Sequence, residues 1–221
     1  MTTKNQMKRC RDRLTIHLIF STFSQFLDLQ KGKTMSQRGT HCDACGHKIT
    51  PAQAGVPSKC DGCGTSHYSN PIPVILVVQP VRLMKGETGI VLARRCIAPA
   101  IGKLVLPGGY MEQYGDWRES GQKELFQETC IQVAPETLTQ LWYRSPPEKH
   151  LILLFCVGQV IHERDLPEFC PLPNEEGIIE TSERVLATSS AEIPWSTHRE
   201  AFDAVLSRFK TSDPPYRGSH T

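Results

Sequence analysis

The chain lacks a long apolar run. None of about 18 residues or more occurs among its 221 residues, which excludes a membrane-spanning helix. Charge of one sign is also scarce. Lys and Arg number 25 against 23 Asp and Glu, a net +2 that gives no general footing for a polyanion such as nucleic acid. No internal repeat is present. What remains is an ordinary globular mix, 39% hydrophobic and 22% charged, long enough for one domain plus a small module.

Charge is unevenly placed. Residues 1–34 hold seven basic and two acidic side chains, leaving the rest at eighteen against twenty-one. This basic leader has an apolar stretch, Leu14–Leu27, broken by polar residues. It reads poorly as a secretory signal or a mitochondrial presequence. It is expected to be an upstream extension without a fold of its own, with Met35 opening a start that would give a folded, active chain.

Cysteine number is odd, at nine, and four of them are ordered in sequence. Cys42-x2-Cys45 and Cys60-x2-Cys63 are separated by fourteen residues, a spacing that lets two turns offer four thiolates to one tetrahedral Zn²⁺. Gly46, Gly62 and Gly64 stand where such turns need backbone freedom. Two disulfides are the alternative. Four thiolates would leave no position for water, so the zinc would be structural, and a reduced site would place the chain in the cytoplasm. His41, His47 and His67 then read as exposed or supporting groups. Within 41–70, Lys48 and Lys59 are offset by Asp43 and Asp61, which argues against phosphate contact by this ribbon.

The expected organisation is a leader (1–34), a zinc ribbon (35–70), a main domain (71–210) and a loose tail (211–221). In the main domain, Pro73–Val78 and Ile90–Arg95 read as strands of a hairpin about the turn Lys85–Gly89. Lys103–Leu106, Leu138–Tyr143 and Leu151–Val160 read as further strands, and Val185–Ala187 as a last one. Asp116 can cap a helix to Thr129, with Trp117, Gly121, Leu125 and Thr129 on one face. Residues 163–183 read as loop, and 197–209 as a final helix. This order predicts an α/β sandwich with a mixed sheet between helices.

Glu124 and Glu128 lie four apart, on one helix face, near the loop Gly108-Gly109. Paired carboxylates beside loop carbonyls suit Mg²⁺ or Mn²⁺, although exposed Glu on helices is common.

The stretch 107–130, PGGYMEQYGDWRESGQKELFQETC, resembles the Nudix box, Gx5Ex7REUxEExGU, with Gly109 as its first glycine. The ribbon, the HYSNP that follows it and the later EIPW resemble a Nudix subgroup with an N-terminal zinc ribbon. The resemblance covers about residues 41–210. It implies a Nudix-like α/β/α sandwich (α+β) and hydrolysis of a nucleoside diphosphate linked to another moiety, such as ADP-ribose or FAD. Metal would be held by Glu124, Glu128 and the Gly109 carbonyl, with Gln127 also in the catalytic set. Glu180 and Glu183 are candidates for a further acid outside the box. A small nucleotide partner and a homodimer are implied, with neither nucleic acid nor membrane. The chain departs from the box at Gly115, Lys123, Gln127 and Cys130. Lys123 is expected to pair with Asp116 through a one-residue loop shift. These departures also admit a nucleotide-binding module with little or no turnover. NADH-cleaving relatives carry an SQPWPFP-like stretch, whereas this chain has Tyr143-Arg144-Ser145-Pro146-Pro147, which gives no support for NADH. Trp142 and Tyr143 are candidates for stacking on a base, with at least one assigned to core packing.

Overall fold

The computed structural model describes residues 41–49, 58–68, 70–112, 115–146 and 150–210. The expectations for residues 1–34, for a start at Met35 and for the tail 211–221 lie outside the described residues. The chain divides into two compact units, Met1–Ser69 and Asn70–Thr221.

In the first unit, β1 (Ser58–Lys59) and β2 (Ser66–His67) pair antiparallel, and a single bridge joins His41 to Lys48. Each CxxC closes a turn. The Gly46 N–H donates to the Cys42 carbonyl and the Gly64 N–H to the Cys60 carbonyl, both at 2.8 Å. These glycines sit at φ +73° and +78°, where a side chain would crowd the backbone. Gly62 corrects the expectation placed on it. Its φ is not positive, and a Cβ there would lie 2.9 Å from His47 Cγ, so the turn selects glycine for lack of room.

The second unit contains two sheets. One has the order β7 (Gly108–Tyr110), β3 (Ile72–Val78), β9 (Leu151–Val157), β8 (Thr139–Arg144), with β3 and β9 parallel and the outer pairs antiparallel. The other has the order β10 (Ile161–His162), β4 (Pro80–Arg82), β5 (Thr88–Arg95), β11 (Thr181–Ala187), again with one parallel pair, β10 with β4. β6 (Leu104–Val105) joins the edge of β5 opposite β11. The hairpin expected between Pro73–Val78 and Ile90–Arg95 is corrected. β5 pairs with β4, beyond the buried Gln79, while β3 belongs to the other sheet. Gln79 makes the break: its amide donates to the carbonyls of Pro80 and Gln159, turning the chain from one sheet into the next.

Strand periodicity builds two cores. Side chains alternate across a pleated strand. Leu76 and Val78 of β3, Ile90 and Leu92 of β5, and Leu153 and Phe155 of β9 face one cluster with Ala201, Phe202, Val205 and Leu206 of helix α2 (Ser196–Lys210). Ile75, Val77, Val91 and Cys156 face the other, with Leu125 of helix α1 (Trp117–Thr129). The result is the expected α/β sandwich of helices around mixed sheets.

Helix α1 starts and stops for local reasons. The Asp116 carboxylate accepts from the Arg118 N–H at 2.8 Å, as an N-cap should. Cys130 ends the helix at φ +62°, a left-handed turn usually taken by glycine. Gly121 brings the helix against the sheet. A Cβ there would lie 3.1 Å from Ile75 Cγ2 and 3.2 Å from Leu138 Cδ1, on residues that are themselves fully buried and cannot give way. Overpacking costs about 1–3 kcal/mol, against about 1 kcal/mol of helix propensity gained. Gly121→Ala is therefore expected to lower stability by on the order of 1 kcal/mol, read from the urea midpoint.

Candidate active site and zinc centre

The four ribbon thiols converge. The Sγ atoms of Cys42, Cys45, Cys60 and Cys63 all lie within 4.8 Å of one another, with Cys42–Cys63 and Cys45–Cys60 at 3.6 Å. A disulfide would need about 2.05 Å. A tetrahedron with Zn–S bonds of about 2.3 Å has edges of about 3.8 Å. The cluster fits a small zinc ribbon, and the soft donor set suits that ion. His67 lies beside it, its Nδ1 3.3 Å from Asp43, while His41 and His47 are exposed.

In the second unit, α1 and the Gly108-Gly109 strand meet over a cluster of acids. Glu128 is buried, and its Oε2 accepts from the Gly108 N–H at 3.1 Å. Its Oε1 is buried with no hydrogen-bond partner among the described residues. Glu124, one turn earlier, lays its carboxylate against the α-carbon of Gly109. A Cβ at that position would come within 2.4 Å of Glu124 Oε1, so only glycine leaves the acid where it is. Burial, then the charge of Glu180, pushes the Glu124 carboxyl up to about 7. Burial, then the charge of Glu124, raises Glu128 well above the usual carboxylate range. The Gly108 N–H and Arg95 only partly offset this.

Of the two acids proposed outside the box, Glu180 acts on this pair through its charge and accepts from the Asn174 amide at 2.7 Å. Glu183 is engaged elsewhere, accepting from Arg94 Nε at 2.6 Å across the β11–β5 pairing.

Lys123 does not pair with Asp116, which is occupied in capping α1. Its ammonium bridges Glu112 and Glu175, an acid from the loop before β11. Glu112, Gly115, Lys123 and Glu124, with the exposed Tyr110, help line an open cavity of about 370 Å³. Trp142 packs on the α2 core with the Arg144 guanidinium 4.7 Å from its ring, whereas Tyr143 is exposed.

Sequence reasoning missed Arg95, Glu175 and His198. The His198 ring meets Phe155 edge-on at 5.8 Å and lies against Trp195 at 4.8 Å. Burial, then the charge of Arg95, lowers it from 6.5 to about 3. A folded histidine this reluctant to protonate leaves the unfolded chain to take up the proton first. Its contribution is therefore intact above pH 6.5 and lost progressively as pH falls towards 3. The raised Glu124 and Glu128 act in the opposite sense, so the contribution of His198 is a difference between two curves. The stability of His198→Phe is expected to fall less steeply than that of the parent between pH 6.5 and 4, by urea denaturation at each pH.

No protein-family model matches the chain, and no curated protein matches it. Solved structures do. A Nudix hydrolase from Nitrosomonas europaea is 21% identical with a TM-score of 0.54, the match covering 80% of this chain and 96% of that one. A MutT protein from Methanosarcina mazei Go1 is 22% identical with a TM-score of 0.43, covering 65% and 96%. The Nudix domain of Shewanella oneidensis NrtR, complexed with ADP ribose, is 15% identical with a TM-score of 0.46, covering 66% and 91%. The layered α/β/α unit is thus of a known class. On the first of these likenesses, the chain has the Nudix fold.

Proposed function

We propose that the protein hydrolyses the pyrophosphate bond of a nucleoside diphosphate linked to another moiety, in the ADP-ribose or FAD class, with a divalent cation. The observation that carries this reading is the buried Oε1 of Glu128, which has no hydrogen-bond partner among the described residues, one helical turn from Glu124 and within the influence of the Glu180 charge. Unpaired acids crowded at low dielectric are costly, and an all-oxygen donor set of this kind fits Mg²⁺ or Mn²⁺. Glu124, Glu128 and the Gly109 carbonyl would hold the cation, with Glu180 as the further acid. When bound, it would offset charge on the pyrophosphate oxygens and lower the pKa of a water. Gln127 offers an amide oxygen and one negative charge fewer than a glutamate would. Lys123 offsets one of the two charges of Glu112 and Glu175, with Glu112 at the cavity wall, which lowers the repulsion an anionic substrate meets there. The exposed Tyr110 ring offers a flat apolar face on the same wall.

The full chain, zinc-loaded, would be incubated with ADP-ribose, FAD, NADH and a nucleoside triphosphate, each with Mg²⁺ or Mn²⁺. Cation-dependent release of a mononucleotide from one of the dinucleotides is expected. Binding of any of them without turnover would favour the second reading, a nucleotide-binding module, which Gln127 supports by thinning the charge of the site. Gln127→Glu separates the two: a strong rise in rate marks a weakened enzyme, and no change in an active protein marks two carboxylates as sufficient.

A further inference from the structure

Cys130 and Cys170 lie outside both the zinc cluster and the acid cluster, forty residues apart in sequence. The Cys130 thiol is buried at the left-handed end of α1, and its sulfur accepts from the Cys170 backbone N–H at 3.0 Å. That contact bounds the distance between the two residues. The Cα of Cys170 is about 1.5 Å from its own nitrogen, and the Cα of Cys130 about 2.8 Å from its own sulfur. The two Cα atoms are therefore no more than about 7.3 Å apart, a limit reached only if all the links lie in line; any bend brings them towards the roughly 4.4–6.8 Å that disulfides span. Cys170 is exposed, so one thiol of the pair is open to a solution oxidant.

The segments are also pinned together already. The Leu172 N–H donates to the Gln127 carbonyl at 2.8 Å. The Arg184 guanidinium spans the Thr129 and Pro167 carbonyls, at 2.7 and 2.6 Å. A covalent link would need little backbone movement.

We propose that Cys130 and Cys170 form a peroxide-sensitive modification site that closes to an intramolecular disulfide, tying the end of α1 to the loop that carries Glu175 and Glu180. The Cys170 thiolate attacks one oxygen of hydrogen peroxide. The O–O bond breaks, the other oxygen leaves as hydroxide and is protonated to water, and Cys170 becomes a sulfenic acid. The Cys130 sulfur then attacks the Cys170 sulfur. The S–S bond forms, the S–O bond breaks, and the leaving hydroxide takes the Cys130 proton as water. Two thiols and one peroxide give one disulfide and two waters.

The test is on the full, zinc-loaded chain. It would be treated with a small excess of hydrogen peroxide, alkylated and digested with trypsin. Cleavage after Lys123, Arg144, Arg164 and Arg184 isolates peptides 124–144 and 165–184, each with one cysteine. A cross-linked pair of these peptides is expected, with two alkylatable thiols lost. Closing a forty-residue loop in the unfolded chain is also expected to raise Tm by on the order of 5–15 °C, reversibly with dithiothreitol. Cys170→Ala, at an exposed position, and Cys130→Gly, which suits the left-handed turn, should both abolish the cross-link. In Cys130→Gly the exposed thiol should run on to sulfinic acid. The proposal is overturned if the parent chain yields Cys170 sulfinic acid with Cys130 still alkylatable, or a cross-link from Cys170 to another cysteine such as Cys96.

Discussion

Glu128→Gln is expected to cost two to three orders of magnitude in turnover while leaving thermal stability unchanged or higher. The two effects have one cause. In the metal-free fold the carboxyl is buried, its Oε1 lacks a partner among the described residues, and Glu124 and Glu180 press on it with like charge. An amide of nearly the same shape keeps an oxygen to accept from the Gly108 N–H and removes the cost of burying an acid that must there carry either a charge or an extra proton. Catalysis needs the charge. Several kcal/mol of transition-state stabilisation comes with a bound cation, and each 1.36 kcal/mol is tenfold in rate. Steady-state rates of mononucleotide release and the Tm of parent and variant, measured without added metal, check both halves. A variant that loses stability and activity together would assign Glu128 to packing. Full activity would remove it from the cation site.

Loss of zinc is expected to unfold the ribbon outright. Its buried apolar cluster is Cys42, Ile49 and Cys60, two of which are themselves ligands. Units of fewer than about 40 residues rarely hold together without a metal or a disulfide. Structural zinc supplies an apparent 10–16 kcal/mol, on the order of a whole small domain's stability. One zinc per chain should be found, and none in Cys60→Ser. Chelation should collapse the amide resonances of residues 41–49 and 58–68 to random-coil shifts and leave those of α1 and α2 dispersed. Persistence of the ribbon signals after chelation would show that the fold stands without the ion.

The parts of the molecule legible in sequence are those with local causes. Asp116 caps α1 two residues from the N–H it accepts, and the CxxC turns close within themselves. The alternating apolar runs of β3, β5 and β9 announce strands whatever their partners. What was not legible depends on partners far along the chain. The true hairpin partner of β5 is hidden because Pro80–Arg82 is too short to register as a strand until Gln79 turns it into the second sheet. β11 begins at Thr181, four residues before its apolar part, because β5 supplies the pairing that Thr-Ser-Glu-Arg does not advertise. Glu180 and Glu183 are equivalent on paper. The sheet separates them by pairing Glu183 with Arg94, whereas Glu180 adds its charge to that of Glu124 and Glu128. Lys123 finds Glu112 and Glu175, with Asp116 already committed to the helix. Cys130 ends α1 in a left-handed turn where glycine is the usual residue, which nothing in its own sequence announces.

The division of β3 between two cores bears on where the chain can change length. Gaining or losing one residue inside β3 would exchange Ile75 and Val77 with Leu76 and Val78, emptying both cores at once. The turn at Lys85–Gly86 is the opposite case, since both residues are exposed and open space surrounds Gly86, although its φ of +91° favours keeping that residue glycine. Length variation arising by descent, or introduced as a reporter epitope, belongs at that turn and is selected against in the seven residues of β3.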